Sequence, residues 1–131
     1  MATLAKILLV EDEPDIRAIA KLALEVVGGY TVALAESGAE ALAVYQRFQP
    51  DLILLDVMMP GMDGIETFDR LRALAGGRLP PVVFMTAKVQ RHEVERYRSL
   101  GALDVISKPF DPMTLSAVVQ RIWDRYNGLA P

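Results

Sequence analysis

The chain alternates short apolar runs with longer stretches in which apolar residues recur every three or four positions. The runs at 6–10 and 52–55 are apolar throughout, as expected of strands that are buried on both faces. Three further runs, at 30–35, 81–85 and 103–107, predict three more strands. Strands that alternate with helical stretches are typical of an α/β fold with a parallel sheet.

The first two helical stretches have clear start and stop signals. Helix 1 begins at Pro14 and stops at Gly28 and Gly29. Ser37, followed three residues later by Glu40, predicts a capping box that opens helix 2, which ends near residue 48. The apolar stripe of helix 1 is predicted to comprise Ile16, Ile19, Ala20, Ala23, Leu24 and Val27.

The last three helices differ in the strength of their apolar faces. Helix 3 is predicted to stop at Gly76 and Gly77 and to carry inward Ile65, Phe68, Leu71 and Leu74. Helix 4, at about 90–100, has an apolar face of only Val94, Tyr97 and Leu100, which predicts a weakly anchored helix. Helix 5, capped by Asp111 and Pro112, has the stripe Leu115, Val118, Val119, Ile122 and Tyr126.

Composition narrows the class of protein. A length of 131 residues predicts a single domain over 1–131, with a core at about 6–126 and a short tail at 127–131. A hydrophobic content of 52% argues against disorder, and the net charge of −3 argues against a nucleic-acid binder that relies on phosphate neutralisation. No apolar run approaches the ~20 residues of a membrane span. Because the chain also lacks cysteine and a secretory signal, we expect a cytoplasmic protein.

Polar residues whose side chains can bind a metal ion or react follow four of the predicted strands. They are Glu11, Asp12, Asp56, Thr86 and Lys108. In an open parallel sheet the carboxyl ends of the strands lie at one edge, where ligands bind. Three carboxylates at that edge repel one another unless a hard cation lies among them, and Mg²⁺ is the natural candidate. This set predicts a metal-assisted phosphoryl site, with the carboxylate of Asp56 as nucleophile.

Each of these residues also has an ordinary structural explanation. Glu11 and Asp12 could favour the start of helix 1 by their charge, Asp56 could cap a turn, and Lys108 could be a surface lysine. Taken singly, the structural explanation is the better one. The occurrence of all of them at successive strand ends favours a common function.

Four motifs, in order and at matching spacing, resemble those of the receiver domain of two-component response regulators, the CheY type. They are the segments at 7–13, 51–64, 85–87 and 108–110, which together span most of the chain. The resemblance implies a flavodoxin-like, doubly wound sheet with the strand order 2-1-3-4-5 and five helices.

The resemblance also implies a role for each site residue. Asp56 accepts a phosphoryl group from a histidine kinase or a phosphotransfer protein. Asp12, Asp56 and the Met58 carbonyl bind Mg²⁺, and Glu11 contributes to the metal site through a water. Thr86 is the switch hydroxyl and Lys108 pairs with the phosphate. The phosphorylated chain then signals to a protein partner through helix 4, strand 5 and helix 5, and is not a conventional enzyme.

Other details of the motifs carry further expectations. By the same resemblance the Lys108-Pro109 bond is cis, Asp63 and Gly64 shape the loop beside the acceptor, and Lys88 tunes dephosphorylation. The chain departs from the family at Val105, where the family has an aromatic residue that completes the switch.

Other functions remain as alternatives. A haloacid-dehalogenase-type phosphatase needs an Asp-x-Asp pair after the first strand, whereas Asp12 is followed by Glu13 and Pro14. An FMN-binding protein needs hydroxyls and glycines there, and two acids would repel its phosphate. The chain could also be the receiver part of a larger regulator, or an interaction module that is not phosphorylated.

Overall fold

All five strands found in residues 3–128, the part of the chain described by the computed structural model, are parallel. Their order is β2-β1-β3-β4-β5, which confirms the predicted topology. The elements, in chain order, are β1 (Lys6–Val10), α1 (Pro14–Leu22), β2 (Thr31–Ala35), α2 (Gly38–Phe48), β3 (Leu52–Asp56), α3 (Gly64–Ala75), β4 (Val82–Thr86), α4 (Arg91–Leu100), β5 (Asp104–Ser107) and α5 (Leu115–Tyr126).

The helices cover both faces of the sheet and form two hydrophobic cores. Alternate residues of β1 divide between them, with Ile7 and Leu9 in one core and Leu8 and Val10 in the other. The first core contains buried residues of α1 and α5, and the second contains buried residues of α2, α3 and α4. Burial on both faces explains why β1, β3 and β4 are apolar nearly throughout.

A π-helical turn over Ala23–Val27 extends α1 and changes which of its residues are buried. The amide of Gly28 donates to the carbonyl of Ala23, five residues back. Ala23 and Leu24 are buried as predicted, but the prediction that Val27 points inward is wrong, because it is 51% exposed. A π-helical turn contains more residues than the 3.6 of a regular α-helical turn, so residues after it face a different direction from the one that the regular period predicts. Ile19 is also 47% exposed, on the outer edge of the stripe.

The remaining helices match most of their predicted start and stop signals, with corrections in α2, α3 and α5. Ser37 Oγ accepts from the amide of Glu40, but the carboxylate of Glu40 accepts from the amide of Glu36 and not of Ser37, so only half of the predicted capping box forms. The left-handed Gly76 ends α3. Leu74 near that end is exposed rather than inward. Asp111 does not cap α5 directly, because it heads a turn that precedes the helix and accepts there from the amide of Met113.

At the end of α5 the prediction chose the wrong aromatic residue. Tyr126 is 55% exposed, whereas Trp123 is 5% exposed and belongs to the first core. Residues 129–131 of the predicted tail lie outside the described residues. Within residues 3–128, no helix is long and apolar enough to cross a membrane.

Candidate functional site

Four strand ends bring the predicted site residues to one edge of the sheet. Glu11 and Asp12 follow β1, Asp56 ends β3, Thr86 ends β4, and Lys108 follows β5. Because β3 lies between β1 and β4 in the sheet, the acceptor candidate Asp56 is flanked on one side by the two acids and on the other by the threonine. Asp56, Glu11 and Thr86 are almost completely buried.

The three carboxylates form one cluster. Glu11, Asp12 and Asp56 each offer an oxygen, and these oxygens lie within 4.8 Å of one another. Asp12 Oδ1 is buried and has no hydrogen-bond partner among the described residues. A buried oxygen without a partner is costly unless a ligand completes the site. The donor set is also the one that Mg²⁺ prefers, so these residues fit a bound Mg²⁺.

Lys108 is the cation of the site. Its Nζ donates to Glu11 Oε1 at 2.9 Å and lies 3.3 Å from Asp56 Oδ1. Burial by itself would lower the pKa of Lys108, but the hydrogen bond to Glu11 and the charge of Asp56 outweigh burial and raise the pKa. Lys108 is therefore charged at neutral pH, and it pairs with one oxygen of Asp56.

Asp56 has the strongly perturbed acidity of a functional group. Burial, followed by the charge of Glu11, raises the pKa of Asp56 from 3.8 to about 7, although Lys108 acts in the opposite direction. A cation bound among the carboxylates would favour the ionised and nucleophilic form. Perturbed carboxylates in a cleft with a charge partner are candidates for functional sites on physical grounds.

The neighbouring backbone holds Asp56 and Thr86 in place. The amide of Met58 donates to Asp56 Oδ1 at 3.3 Å, and the side chain of Met58 is exposed. Thr86 Oγ1 accepts from the amide of Lys88 at 3.0 Å, and the Thr86 carbonyl accepts from the amide of Lys108. The predicted cis Lys108-Pro109 bond is confirmed.

Gly64, at the start of α3, lies close to the end of β3. A Cβ at this position would lie 2.3 Å from the Asp56 carbonyl oxygen and 2.7 Å from Val57 Cα. Both neighbours are backbone atoms, so neither can move without displacing Asp56 or Val57. The sequence predicts a turn at Asp63-Gly64. The structure shows that glycine is needed at position 64 because the start of α3 lies too close to the end of β3 for a Cβ atom.

Gly64→Ala is therefore expected to lower the free energy of unfolding. Overpacking of this kind costs ~1–3 kcal/mol, and the displaced Asp56 backbone should also weaken any metal or phosphoryl binding. Urea denaturation monitored by circular dichroism measures the change. A midpoint equal to that of the parent chain would contradict the close contact.

One polar residue near the site was absent from the sequence predictions. Arg17 on α1 reaches back to the backbone carbonyls of Glu11 and Asp12. A cation one turn into the helix that follows two strand-end acids is a recognisable signal. Its contact with carbonyls rather than carboxylates, however, depends on the tertiary structure.

Comparison with known proteins agrees with the fold. The family model described as the response regulator receiver domain matches residues 7–120. The chain belongs to this family. The receiver domain is also similar to the chemotaxis protein CheY4 of Vibrio cholerae, with a TM-score of 0.82 and 33% identity over 92% of this chain and 99% of that one.

Curated relatives extend the comparison. The receiver domain is 40% identical to the alkaline phosphatase synthesis transcriptional regulatory protein PhoP of Bacillus subtilis, over 96% of this chain and 51% of that protein. It is 37% identical to an uncharacterized 14.6 kDa protein of Leptolyngbya boryana, over 92% and 93% of the two chains. The chain thus spans about half the length of some relatives and nearly all of another.

Proposed function

We propose that this receiver domain accepts a phosphoryl group on Asp56 from a histidine kinase or a histidine phosphotransfer protein, in a reaction that needs Mg²⁺. The observation that carries the proposal is the placement of the buried Asp56 between Lys108 and the carboxylates of Glu11 and Asp12. Membership of the receiver family supports it. The chain is a signalling domain rather than a conventional enzyme, and we propose that it acts in the cytoplasm.

The chemistry is a transfer between two carriers. An oxygen of Asp56 forms a bond to phosphorus, and the bond from phosphorus to the donor breaks, with its electron pair leaving on the donor imidazole. Charge spreads over the three phosphoryl oxygens during this exchange, so positioned cations stabilise it. Lys108, 3.3 Å from Asp56 Oδ1, supplies one positive charge.

The acid cluster supplies the site for the second positive charge. Asp12, Asp56 and the Met58 carbonyl are proposed to hold Mg²⁺, with Glu11 acting through a water. Bound there, Mg²⁺ would neutralise charge on the transferred phosphoryl group. Thr86 is proposed to be the hydroxyl that responds to the phosphoryl group. Lys88, two residues further along, is proposed to affect dephosphorylation.

An apolar surface beside the site supports a protein as the donor. A groove of about 370 Å³ is lined by Lys108 together with apolar residues of α1 and of the segment before α5: Ile16, Ile19, Pro109, Phe110 and Pro112. Exposed apolar patches are typical of protein-binding surfaces. Because Lys108 lines both this groove and the acceptor site, a protein seated there would be next to Asp56.

Mass spectrometry of the intact chain tests the proposal. Incubation with acetyl phosphate and Mg²⁺ is expected to add the mass of one phosphoryl group, which peptide mapping should assign to Asp56. No added mass, or an adduct on another residue, would favour a receiver fold that serves as an unphosphorylated interaction module.

The output is proposed to pass through α4, β5 and α5. Tyr97 is the buried anchor of α4, and its ring contacts Phe84 of β4 edge to face, with centroids 5.5 Å apart. Next to Tyr97, Arg98 forms an ion pair with Asp104 at the start of β5. Because Arg98 is half-exposed, this pair contributes little to stability. Val105 takes the place of the family's aromatic residue beside this helix. A helix with so few attachments can respond to a small change at the site.

Hydrogen exchange is expected to show this response. In beryllofluoride and Mg²⁺, which imitate the phosphorylated state, amides of α4 and β5 should change their exchange rates more than those of α2. The reason is that the packing of α4 depends mainly on Tyr97. Changes confined to α1 and α2 would contradict the proposed output face.

The downstream partner is proposed to be a protein or an output domain. Relatives such as PhoP and the DNA-binding response regulator MtrA of Mycolicibacterium smegmatis are about twice as long as the matched region. Their length supports the proposal that residues 1–131, taken as a single receiver domain, act in a larger regulator. We propose no direct contact of this domain with nucleic acid or membrane.

A further inference from the structure

We infer that Arg17 is a positioning residue for the metal site, which it orders through the backbone rather than through the carboxylates. This inference rests on the proposed Mg²⁺ site. Arg17 belongs to the first turn of α1, and its side chain is only 17% exposed. Its Nη1 donates to the Glu11 carbonyl at 2.8 Å and is 3.3 Å from the Asp12 carbonyl.

These two carbonyls belong to the peptide groups on either side of the Asp12 Cα. Two peptide planes that are held by one guanidinium restrict both backbone dihedral angles of the residue between them. Those angles set the direction in which the Cα–Cβ bond of Asp12 leaves the backbone, and they limit its side-chain rotamers. Arg17 therefore restricts the positions that the carboxylate of Asp12 can take.

The orientation matters because Asp12 has no other support of its own. Its Oδ1 is buried without a hydrogen-bond partner among the described residues. Glu11, in contrast, is held by Lys108 and by the amide of Glu13. Of the three clustered acids, Asp12 thus has the fewest contacts to its side chain. Its carboxylate position therefore depends most on the conformation of its backbone.

The guanidinium leaves the acids free to bind a cation. In the described residues Arg17 has an ion pair with Glu36, at 3.7 Å, and none with Glu11 or Asp12. Glu36 is 63% exposed, so this pair is screened by water. An arginine that paired with the carboxylates would compete with Mg²⁺, whereas one that binds carbonyls orients them without occupying their oxygens.

The direction of the mutational effect separates this role from simple electrostatics. Arg17 carries a positive charge near a cation site, so by charge alone its removal would tighten Mg²⁺ binding. By positioning, its removal should weaken Mg²⁺ binding, because the Asp12 loop loses its orientation. Changes to groups that orient metal ligands typically weaken binding ~10–100-fold.

Isothermal titration with Mg²⁺ alone, together with thermal unfolding in chelator, tests the inference. Arg17→Met is expected to raise the Mg²⁺ dissociation constant ~10-fold. Lys21→Met is the matched control, since Lys21 is a cation on the same helix that pairs with Glu25 away from the loop. We expect this control, and Glu36→Gln, to bind Mg²⁺ within about twofold of the parent chain.

A conservative variant keeps the inference testable if Arg17→Met does not fold. Arg17→Lys retains the charge but loses the planar fork that spans two carbonyls, so we expect Mg²⁺ binding between that of the parent and of Arg17→Met. If a folded Arg17 variant, Arg17→Met or Arg17→Lys, binds Mg²⁺ as tightly as the parent chain or more tightly, the positioning role is wrong. A parent chain that binds no Mg²⁺ would overturn the metal site itself, and this inference with it.

Discussion

Asp56→Asn is expected to gain no mass from acetyl phosphate and Mg²⁺ under conditions that modify the parent chain completely. The amide is close to the carboxylate in shape but is not a nucleophile toward phosphorus, so no acyl phosphate can form. The loss should be total rather than partial, since Asp56 is the acid that Lys108 and the neighbouring carboxylates surround. Intact-mass measurement over a time course gives the rate directly.

Asp69→Asn is the matched control for this experiment. Asp69 is an exposed residue of α3, and its replacement removes the same charge. It should be phosphorylated at the rate of the parent chain. Excess chelator should stop the modification of both the parent and this control. An adduct that persists on the Asp56→Asn chain, or that forms equally in chelator, would show that the acceptor or the metal requirement is wrongly assigned.

The same substitution is expected to make the metal-free protein more stable. Asp56 is buried beside Glu11, and Lys108 offsets only part of the cost of holding these charges together. Relief of ~1 kcal/mol is expected from Asp56→Asn, which corresponds to a rise of ~3–5 °C in melting temperature for a chain of this size. Asp12→Ala should act in the same direction, since it removes a buried oxygen without a partner.

The gain should depend on pH in a defined direction. The pKa of Asp56 is about 7 in the folded chain, whereas the ordinary value for an aspartate, 3.8, applies to the unfolded chain. Between these values the folded chain binds more protons than the unfolded chain, so this group makes the free energy of unfolding fall as pH rises. The advantage of Asp56→Asn should therefore be small near pH 4, grow up to about pH 7 and remain constant above it.

Thermal melts in chelator at several pH values measure this dependence. Asp69→Asn again serves as the control and should melt within about 1 °C of the parent. Added Mg²⁺ should stabilise the parent and have much less effect on Asp56→Asn and Asp12→Ala, because both lack a ligand. If both variants melt at or below the temperature of the parent at pH 8 in chelator, the acids are ordinary structural groups and not a strained site.

The position of the site could be predicted from the sequence because it depends on local signals. A buried strand is recognisable from its own residues, and the next residue necessarily lies at the carboxyl end of that strand. In a parallel sheet these ends share one edge, so residues far apart in the chain, such as Asp12 and Lys108, could be expected to meet. The number of strands followed from the same signals, and their order followed from the family resemblance.

The burial of individual helix residues was decided by the tertiary structure. A π-helical turn displaces Val27 from the stripe that a regular period predicts. At α5 the choice between Tyr126 and Trp123 depended on how the helix lies on the sheet. A periodic pattern specifies that a helix has an apolar face, but the angle at which it packs and local changes of period determine the edges of that face.

Contacts between separate helices, strands and loops could not be predicted from the sequence for a related reason. Gly64 is required by the approach of α3 to the Asp56 carbonyl, and Arg17 reaches two carbonyls of the loop that carries Asp12. Neither contact follows from residue type or spacing, because each depends on distances of a few ångströms between separately formed elements. The sequence by itself determined which chemical groups meet at the sheet edge, and the tertiary structure decided their orientation, their partners and their acidity.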